Sequence, residues 1–585
     1  MSKDEIRKDK EKDASNDRER LFDSSKNTDK ENVNKNDEKK NIDEIDEEKI
    51  NDEELSENDE SDSSEKVEEE IKEEKLENQN KQNDDLNGST IEIVQPINLK
   101  SKNLGFTRTL LLAMFAAMIG TGAQFGYALG VMNAPSELIK NYINEVSVKR
   151  YNSTISAYNQ DILYATAISV VALGGVLGGL VALPLSDRFG RKTGLLLNNI
   201  PAIIGSVLMV ISKYIASFEA FIVGRILIGF SAGFGTTVGP IYINEIAPLR
   251  VRGSFGACFQ LFVAFAVLLA QVLGLDIILG RPHLWNYLFA VPIIFSILQC
   301  TLLIFTHETP KFLLKKKRRG AAARALKWFR REKNLDDVQA EIHEMEADFH
   351  NIETNSIKIS IRDLWSKPLL RKCLLILAMT HVAQHFTGSF VIFFFGDIIL
   401  SRAQLKIEYA SYAMLSCGIT YVAVAISLVF ILDKVGRRSL YLYGLIGMAG
   451  ASCVIGITIL KSRDIPLYHM IFLEIFAMMT HVSFCAMGPV AIPWMLPAEM
   501  FFQSERAYAS AIAIIVNWLS MFCIIMTFVP LFHAVGAFLF LVYGIMSCAF
   551  WLLAFISVPE TRRKTPERVQ LLVAKGTVYK AKHQK

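Results

Sequence analysis

Asp187-Arg188-Phe189-Gly190-Arg191-Lys192 and Asp433-Lys434-Val435-Gly436-Arg437-Arg438 are one charged cassette written twice, each time at the end of a long apolar segment. Glu245 and Arg252 lie seven residues apart, and so do Glu499 and Arg506. Glu308-Thr309-Pro310 closes the first half of the chain, and Glu560-Thr561 closes the second. Carboxylates and guanidinium groups at such spacings make charge-assisted pairs rather than break covalent bonds. Gly190 and Gly436 permit tight turns between helices. We read Asp187, Arg188, Arg191, Glu245, Arg252 and Glu308, with Asp433, Lys434, Arg437, Arg438, Glu499, Arg506 and Glu560, as latches. Pairs between neighbouring helix ends are expected to form when that side of the bundle closes and to break when it opens. A single basic loop marks only topology, but a duplicated bundle with charged latches on one face suits an alternating-access carrier.

A second set of ionisable residues lies inside apolar runs. Glu474 and His481 are seven apart and so share a helical face, as do His381 and His385. Such groups are costly in a membrane and point first to function. The plainer reading puts Glu474 near water and keeps the histidines neutral, as hydrogen-bonding groups. Gly174, Gly175, Gly178 and Gly179 form a small-residue stripe for close helix packing, and Pro489 and Pro493 break a helix beside Trp494.

The elements that must hold these residues are twelve apolar segments, near 107–132, 161–185, 194–212, 218–243, 255–279, 284–305, 369–399, 408–432, 439–460, 467–496, 508–532 and 535–558. Each is long enough to cross a hydrocarbon core as a helix and too long for a barrel strand. The expected fold is an all-α membrane protein with two six-helix bundles, 104–305 and 369–558. Residues 306–368 form a linker with short amphipathic helices that couple the halves, and 559–585 form a C-terminal tail. Residues 1–103, dominated by Lys, Glu, Asp, Asn and Ser, read as a disordered, solvated tail. Ser61, Ser63 and Ser64 sit there among acids, which leaves phosphorylation or a cytoplasmic partner open.

Lys and Arg concentrate in the loops after segments 2, 4, 8 and 10 and in the 6–7 connection, which puts both termini in the cytoplasm. The first outside loop, about 134–160, carries the sequon Asn152-Ser153-Thr154, so Asn152 is a glycosylation candidate. All eight cysteines lie in or beside apolar segments, which implies packing rather than disulfides. No metal-ligand spacing, nucleophile triad or phosphate-cradling glycine loop stands out. Neither an enzyme, an ATP-driven pump, a cofactor nor a nucleic-acid partner is expected; the partners are a small solute and the lipid bilayer.

Gln124-Phe125-Gly126-Tyr127, Gly130-Val131-Met132-Asn133-Ala134-Pro135, Gly224-Arg225, Glu245-Ile246-Ala247-Pro248, Ala270-Gln271-Val272-Leu273-Gly274-Leu275-Asp276, Ile492-Pro493-Trp494, Asn517-Trp518 and Val558-Pro559-Glu560-Thr561 stand in the order found in a known family. Together with the latches, they make the chain resemble the sugar porters of the major facilitator superfamily, and among them the animal facilitative glucose transporters. The resemblance spans about 124–561. It implies a mid-membrane sugar site with Gln260, Gln384, Trp494 and Asn517 as ligands, in the plasma membrane. Read alone, each amide would be helix-to-helix glue and Trp494 interface packing.

Departures from the family pattern bear on the substrate. His385 stands where a second glutamine is usual, and Phe390 where a sugar-binding asparagine is usual; both remain assigned to the site. Phe394 and Phe395 replace tyrosines, Tyr421 and Met521 replace asparagines, and Ala486 replaces a glutamate. Several hydroxyl partners are therefore expected to be lost, at about 1–3 kcal/mol each. The expectation is hexose transport through a more apolar pocket, with glucose, fructose, a deoxy sugar or a less polar solute open as substrate. Ala128 stands where proton-linked relatives carry an aspartate, which favours uniport. The rivals are proton-coupled symport through Glu474 and the histidines, and a non-transporting sugar sensor with a degraded site.

Overall fold

The computed structural model describes residues 107–248, 251–355, 361–402, 405, 407–461 and 467–576. The reading of residues 1–103 as a solvated tail lies outside the described residues. Twelve long helices cross the molecule. They are α1 (Arg108–Gly130), α2 (Ala157–Phe189), α3 (Arg191–Ser212), α4 (Phe218–Ile246), α5 (Arg252–Leu273), α6 (Trp285–Ile304), α7 (Pro368–Arg402), α8 (Ile407–Val435), α9 (Arg437–Lys461), α10 (His469–Met500), α11 (Gln503–Val535) and α12 (Phe538–Ser557). Eleven are long and apolar enough to span a membrane; the twelfth, α5, carries its described apolar stretch over Cys258–Leu273. Among the described residues there is no strand. In lipid, backbone groups must be satisfied within each helix, which is why the apolar runs fold this way.

The duplicated sequence gives paired packing. α2 lies along α4 in the first half, and α9 along α10 and α12 in the second, while α2 against α11 and α5 against α8 join the halves. The glycine stripe serves two neighbours at once. A β-carbon on Gly174 or Gly178 would strike the α4 main chain at Ile226 or Phe230, whereas one on Gly175 or Gly179 would strike Trp518 or Ile514 of α11. One face of the stripe packs within a half and the other packs between halves.

Two helices are interrupted where the sequence placed the site. α7 consists of Pro368–Phe386 and Val391–Arg402, joined through Gly388 at φ +81°. A β-carbon there would meet the Tyr543 ring at 2.8 Å, so both conformation and space favour glycine. α10 breaks between Leu467–Met487 and Ile492–Met500, beside Pro489 and Pro493, as the sequence suggests.

The loop expected over 134–160 is in large part a helix, Ser136–Tyr151. Its polar composition hid it from a search for apolar runs. Asn152 ends it at φ 52° and is exposed, in keeping with the left-handed tolerance of asparagine. The described part of the linker is largely helical. Its Arg319–Arg330 segment is tied to the first half: buried Arg330 pairs with Glu341 at 2.6 Å and donates to the Ile246 carbonyl at 2.8 Å. Thr107 donates to the Phe329 carbonyl at 2.7 Å. Ile361–Ser366 packs instead on α7 and α11. Helix Pro566–Lys575 docks on the second half, where Gln570 donates to the Met500 carbonyl at 3.0 Å.

Candidate functional site

At the linker end the two cassettes fold into matching clusters. Gly190 and Gly436 turn the chain at φ +107° and +100°. In the first half, Arg191 pairs with Glu245 at 2.9 Å and with Asp187 at 2.9 Å. Glu308 accepts the backbone N–H groups of Arg191, Lys192 and Thr309 at 3.0, 3.1 and 2.9 Å, so it caps the start of α3. Burial pushes the Glu308 carboxyl above its usual range, and those donors oppose the shift. Thr309 donates to the other oxygen of Glu245 at 2.5 Å. In the second half, Arg437 pairs with Glu499 at 3.0 Å and Thr561 donates to Glu499. Glu560 accepts the N–H groups of Arg437 and Arg438 at 3.0 and 3.2 Å, capping α9.

These pairs join neighbouring helix ends of the same half. The cassettes staple the ends of each bundle. The remaining latch residues hold other positions. Arg188 is exposed and lies over Phe189, and Lys434 offers its carbonyl to Arg562 at 2.6 Å. Arg438 donates to the Phe555 carbonyl at 2.6 Å. Arg506 donates to the carbonyls of Ala498 and Phe501 at 3.0 and 3.3 Å. The side chains of Arg252 and Asp433 lie outside the described residues.

Midway along the second half, α7 presents His381, Gln384 and His385 on one face, at the i, i+3, i+4 spacing. All three are buried, as is Asn517 of α11. His385 Nε2 lies 2.9 Å and His381 Nδ1 3.2 Å from the same atom, Asn517 Oδ1. Trp494, half-buried on the second part of α10, meets the His381 ring edge-on at 5.3 Å. Phe390, in the break of α7, lies at 5.3 Å over His385. The structure thus brings together Gln384, His385, Phe390, Trp494 and Asn517, and adds His381 at their centre.

Gln260 enters by another route. Its amide donates to the Tyr421 hydroxyl, which links α5 to α8 across the halves. Phe393 stacks between, 5.2 Å from Tyr421 and 6.5 Å from Phe390. Tyr421 is therefore not simply a lost polar partner: its hydroxyl has replaced an amide. Phe390, Phe393, Phe394, Phe395 and Met521 are all buried.

The halves are sealed at the end opposite the linker. Asn133 of the first half donates to Asp397 of α7 at 3.0 Å and accepts the Asp397 N–H at 3.2 Å. His533 approaches Asp161 at 3.1 Å, and Tyr412 donates to Asp276 at 3.1 Å. Asp397 was not singled out from sequence, because it lies within an apolar run whose neighbours gave no pairing signal. Further in, Trp518 packs edge-on to Phe125 at 5.4 Å. Buried Arg225 donates to backbone carbonyls, Ala167 at 3.1 Å and Ala128 at 3.4 Å.

Two pseudo-equivalent helical bundles, matching end staples and a polar cluster at broken helices define a membrane carrier of the alternating-access kind. A family described as "Sugar (and other) transporter" matches residues 112–572. Facilitated glucose transporter member 1 of solute carrier family 2 from Gallus gallus is 31% identical over 470 residues, covering 80% of this chain and 94% of its own. Member 4 from Homo sapiens is 32% identical, covering 79% and 90%. Among solved structures, the xylose transporter XylE from E. coli, in a partially occluded inward open conformation, superposes with a TM-score of 0.66 at 22% identity. It covers 78% of this chain and 100% of its own. The chain belongs to the sugar transporter family of the major facilitator superfamily.

Proposed function

We propose that the protein carries a hexose, glucose first among candidates, down its gradient by alternating access. The observation that carries this reading is the cluster of Gln384, His385 and Asn517 beside Trp494: hydrogen-bonding groups and an aromatic face at broken helices, as a polyol leaving water needs. The relatives cited above are facilitated glucose transporters by name. Uniport is supported by Ala128, whose carbonyl accepts from the buried Arg225 and which stands where proton-linked sugar porters carry an aspartate. We place the protein in the plasma membrane with both termini cytoplasmic and Asn152 glycosylated outside. With that orientation the outer end is the one closed between the halves. The end staples hold each half rigid while it rocks.

Proton-coupled symport is the second reading, favoured by Glu474, which is buried with no hydrogen-bond partner on either oxygen among the described residues. Uptake of radiolabelled glucose and fructose, in cells lacking their own hexose carriers, separates the readings. Saturable uptake indifferent to a protonophore supports uniport, and collapse with the protonophore supports symport. Surface protein that binds sugar without uptake is a sensor.

A further inference from the structure

The hydrogen-bond arithmetic around Asn517 fixes more than the place of the site. An amide oxygen only accepts, so both imidazole nitrogens that approach Asn517 Oδ1 must donate to it. In neutral rings this sets the tautomers: His381 carries its hydrogen on Nδ1, and His385 carries its hydrogen on Nε2. The opposite nitrogens, His381 Nε2 and His385 Nδ1, are then bare lone pairs. Among the described residues neither has a hydrogen-bond partner, and neither has the carbonyl oxygen of Gln384, one turn away on the same face. Three buried atoms on one helix face are therefore acceptors without a partner, and the Gln384 amide nitrogen is the donor beside them. Phe390 covers the His385 ring with an apolar face that offers no donor. An amide side chain at position 385 would have brought a donor together with its acceptor; an imidazole already spent on Asn517 does not.

We propose that His381, Gln384 and His385 form a hydrogen-bond-accepting wall that selects ligands by the hydrogens they donate, and that it prefers an amino-deoxy hexose over the parent sugar at the carbon facing it. This inference rests on the hexose reading above. A hydroxyl offers one hydrogen to such a wall, whereas a protonated amine offers three and also interacts favourably with the nearby indole of Trp494. A fluorine in place of the hydroxyl offers none and leaves the acceptors unfilled.

The test is a tryptophan-fluorescence titration of the full chain in liposomes, with D-glucose and its monoamino and monofluoro derivatives at each hydroxyl-bearing carbon. At one carbon at least, the amino derivative should bind as tightly as glucose or tighter, and the fluoro derivative about tenfold more weakly, the equivalent of one neutral hydrogen bond. His381→Gln and His385→Gln should each shrink the amino-to-fluoro ratio. Glucose binding with equal affinity for amino and fluoro derivatives at every carbon overturns the accepting wall and leaves the hexose reading standing. Amino-sugar binding without glucose uptake overturns the hexose reading and leaves the wall standing. Failure of the entire panel to bind overturns both. An independent readout is solid-state NMR of the protein with its ten histidines labelled with ¹⁵N. The signal lost in His381→Gln should be that of an Nδ1–H tautomer, and an Nε2–H signal there overturns the wall.

Discussion

The two ends of the duplication and its middle have had different histories. At the linker end, Arg191, Glu245, Glu308 and Thr309 are matched bond for bond by Arg437, Glu499, Glu560 and Thr561. In the middle the match is partial: α1 is interrupted at Thr121 as α7 is at Gly388, but α2 and α4 meet through glycines laid against main chain, while α7 and α11 carry the polar cluster beside the broken α10. Duplicated parts stay alike where both halves need the same thing, a pinned bundle end. They diverge where the buried polar cluster lies on the second half and the first half packs glycines against main chain.

The sharpest way to break that comparison is at the staples. Arg191→Ala and Arg437→Ala each leave a largely buried glutamate unpaired, and each should cost about 3–5 kcal/mol. Thermal unfolding of the purified protein should show equal losses, and a marked difference would mean that the matched geometry hides unequal roles. Asn517→Ala comes next. It removes the one oxygen that orders both imidazoles, and hexose uptake should fall by at least tenfold, about 1.4 kcal/mol, with surface expression retained. Arg225 and the α2–α4 core should not feel it, so a matching loss of thermal stability would contradict the division of labour.

The glycine stripe gives a finer contrast. Gly174→Ala presses on the α4 main chain and should cost about 1–3 kcal/mol of stability. Gly175→Ala presses on Trp518 across the halves, and its main effect should be on the uptake rate. The smallest effect is expected at Tyr421→Phe, which deletes one hydrogen bond to Gln260 and should change uptake by about 1 kcal/mol or less in activation terms. A complete loss there would mean that the phenol itself holds substrate.

Most of the fold was legible because lipid demands long apolar helices and the demand is visible residue by residue. The segment expected at 107–132 is the helix Arg108–Gly130, and 218–243 is Phe218–Ile246. Ser136–Tyr151 was missed because a polar helix outside the hydrocarbon carries no such mark. Within the site, the residues carried over from the family pattern came together, apart from Gln260, whose bond runs to Tyr421. His381 was seen only as a neighbour of His385, although its i, i+3 spacing to Gln384 was a usable signal. Partner choice was the illegible part. That Arg191 pairs within its own half, or that Asp397 meets Asn133, depends on how helices far apart in sequence are set side by side.

The single oxygen shared by two imidazoles also bears on how such a carrier changes its energy source. Asn517→Asp replaces an amide by a carboxylate of the same shape, 2.9 Å from one ring and 3.2 Å from the other. A charge buried there would favour uptake of a proton from solution, held on the carboxylate or on either imidazole beside it, so the site would gain a place to hold and release one. Passive and proton-driven uptake, in this architecture, stand one nucleotide apart.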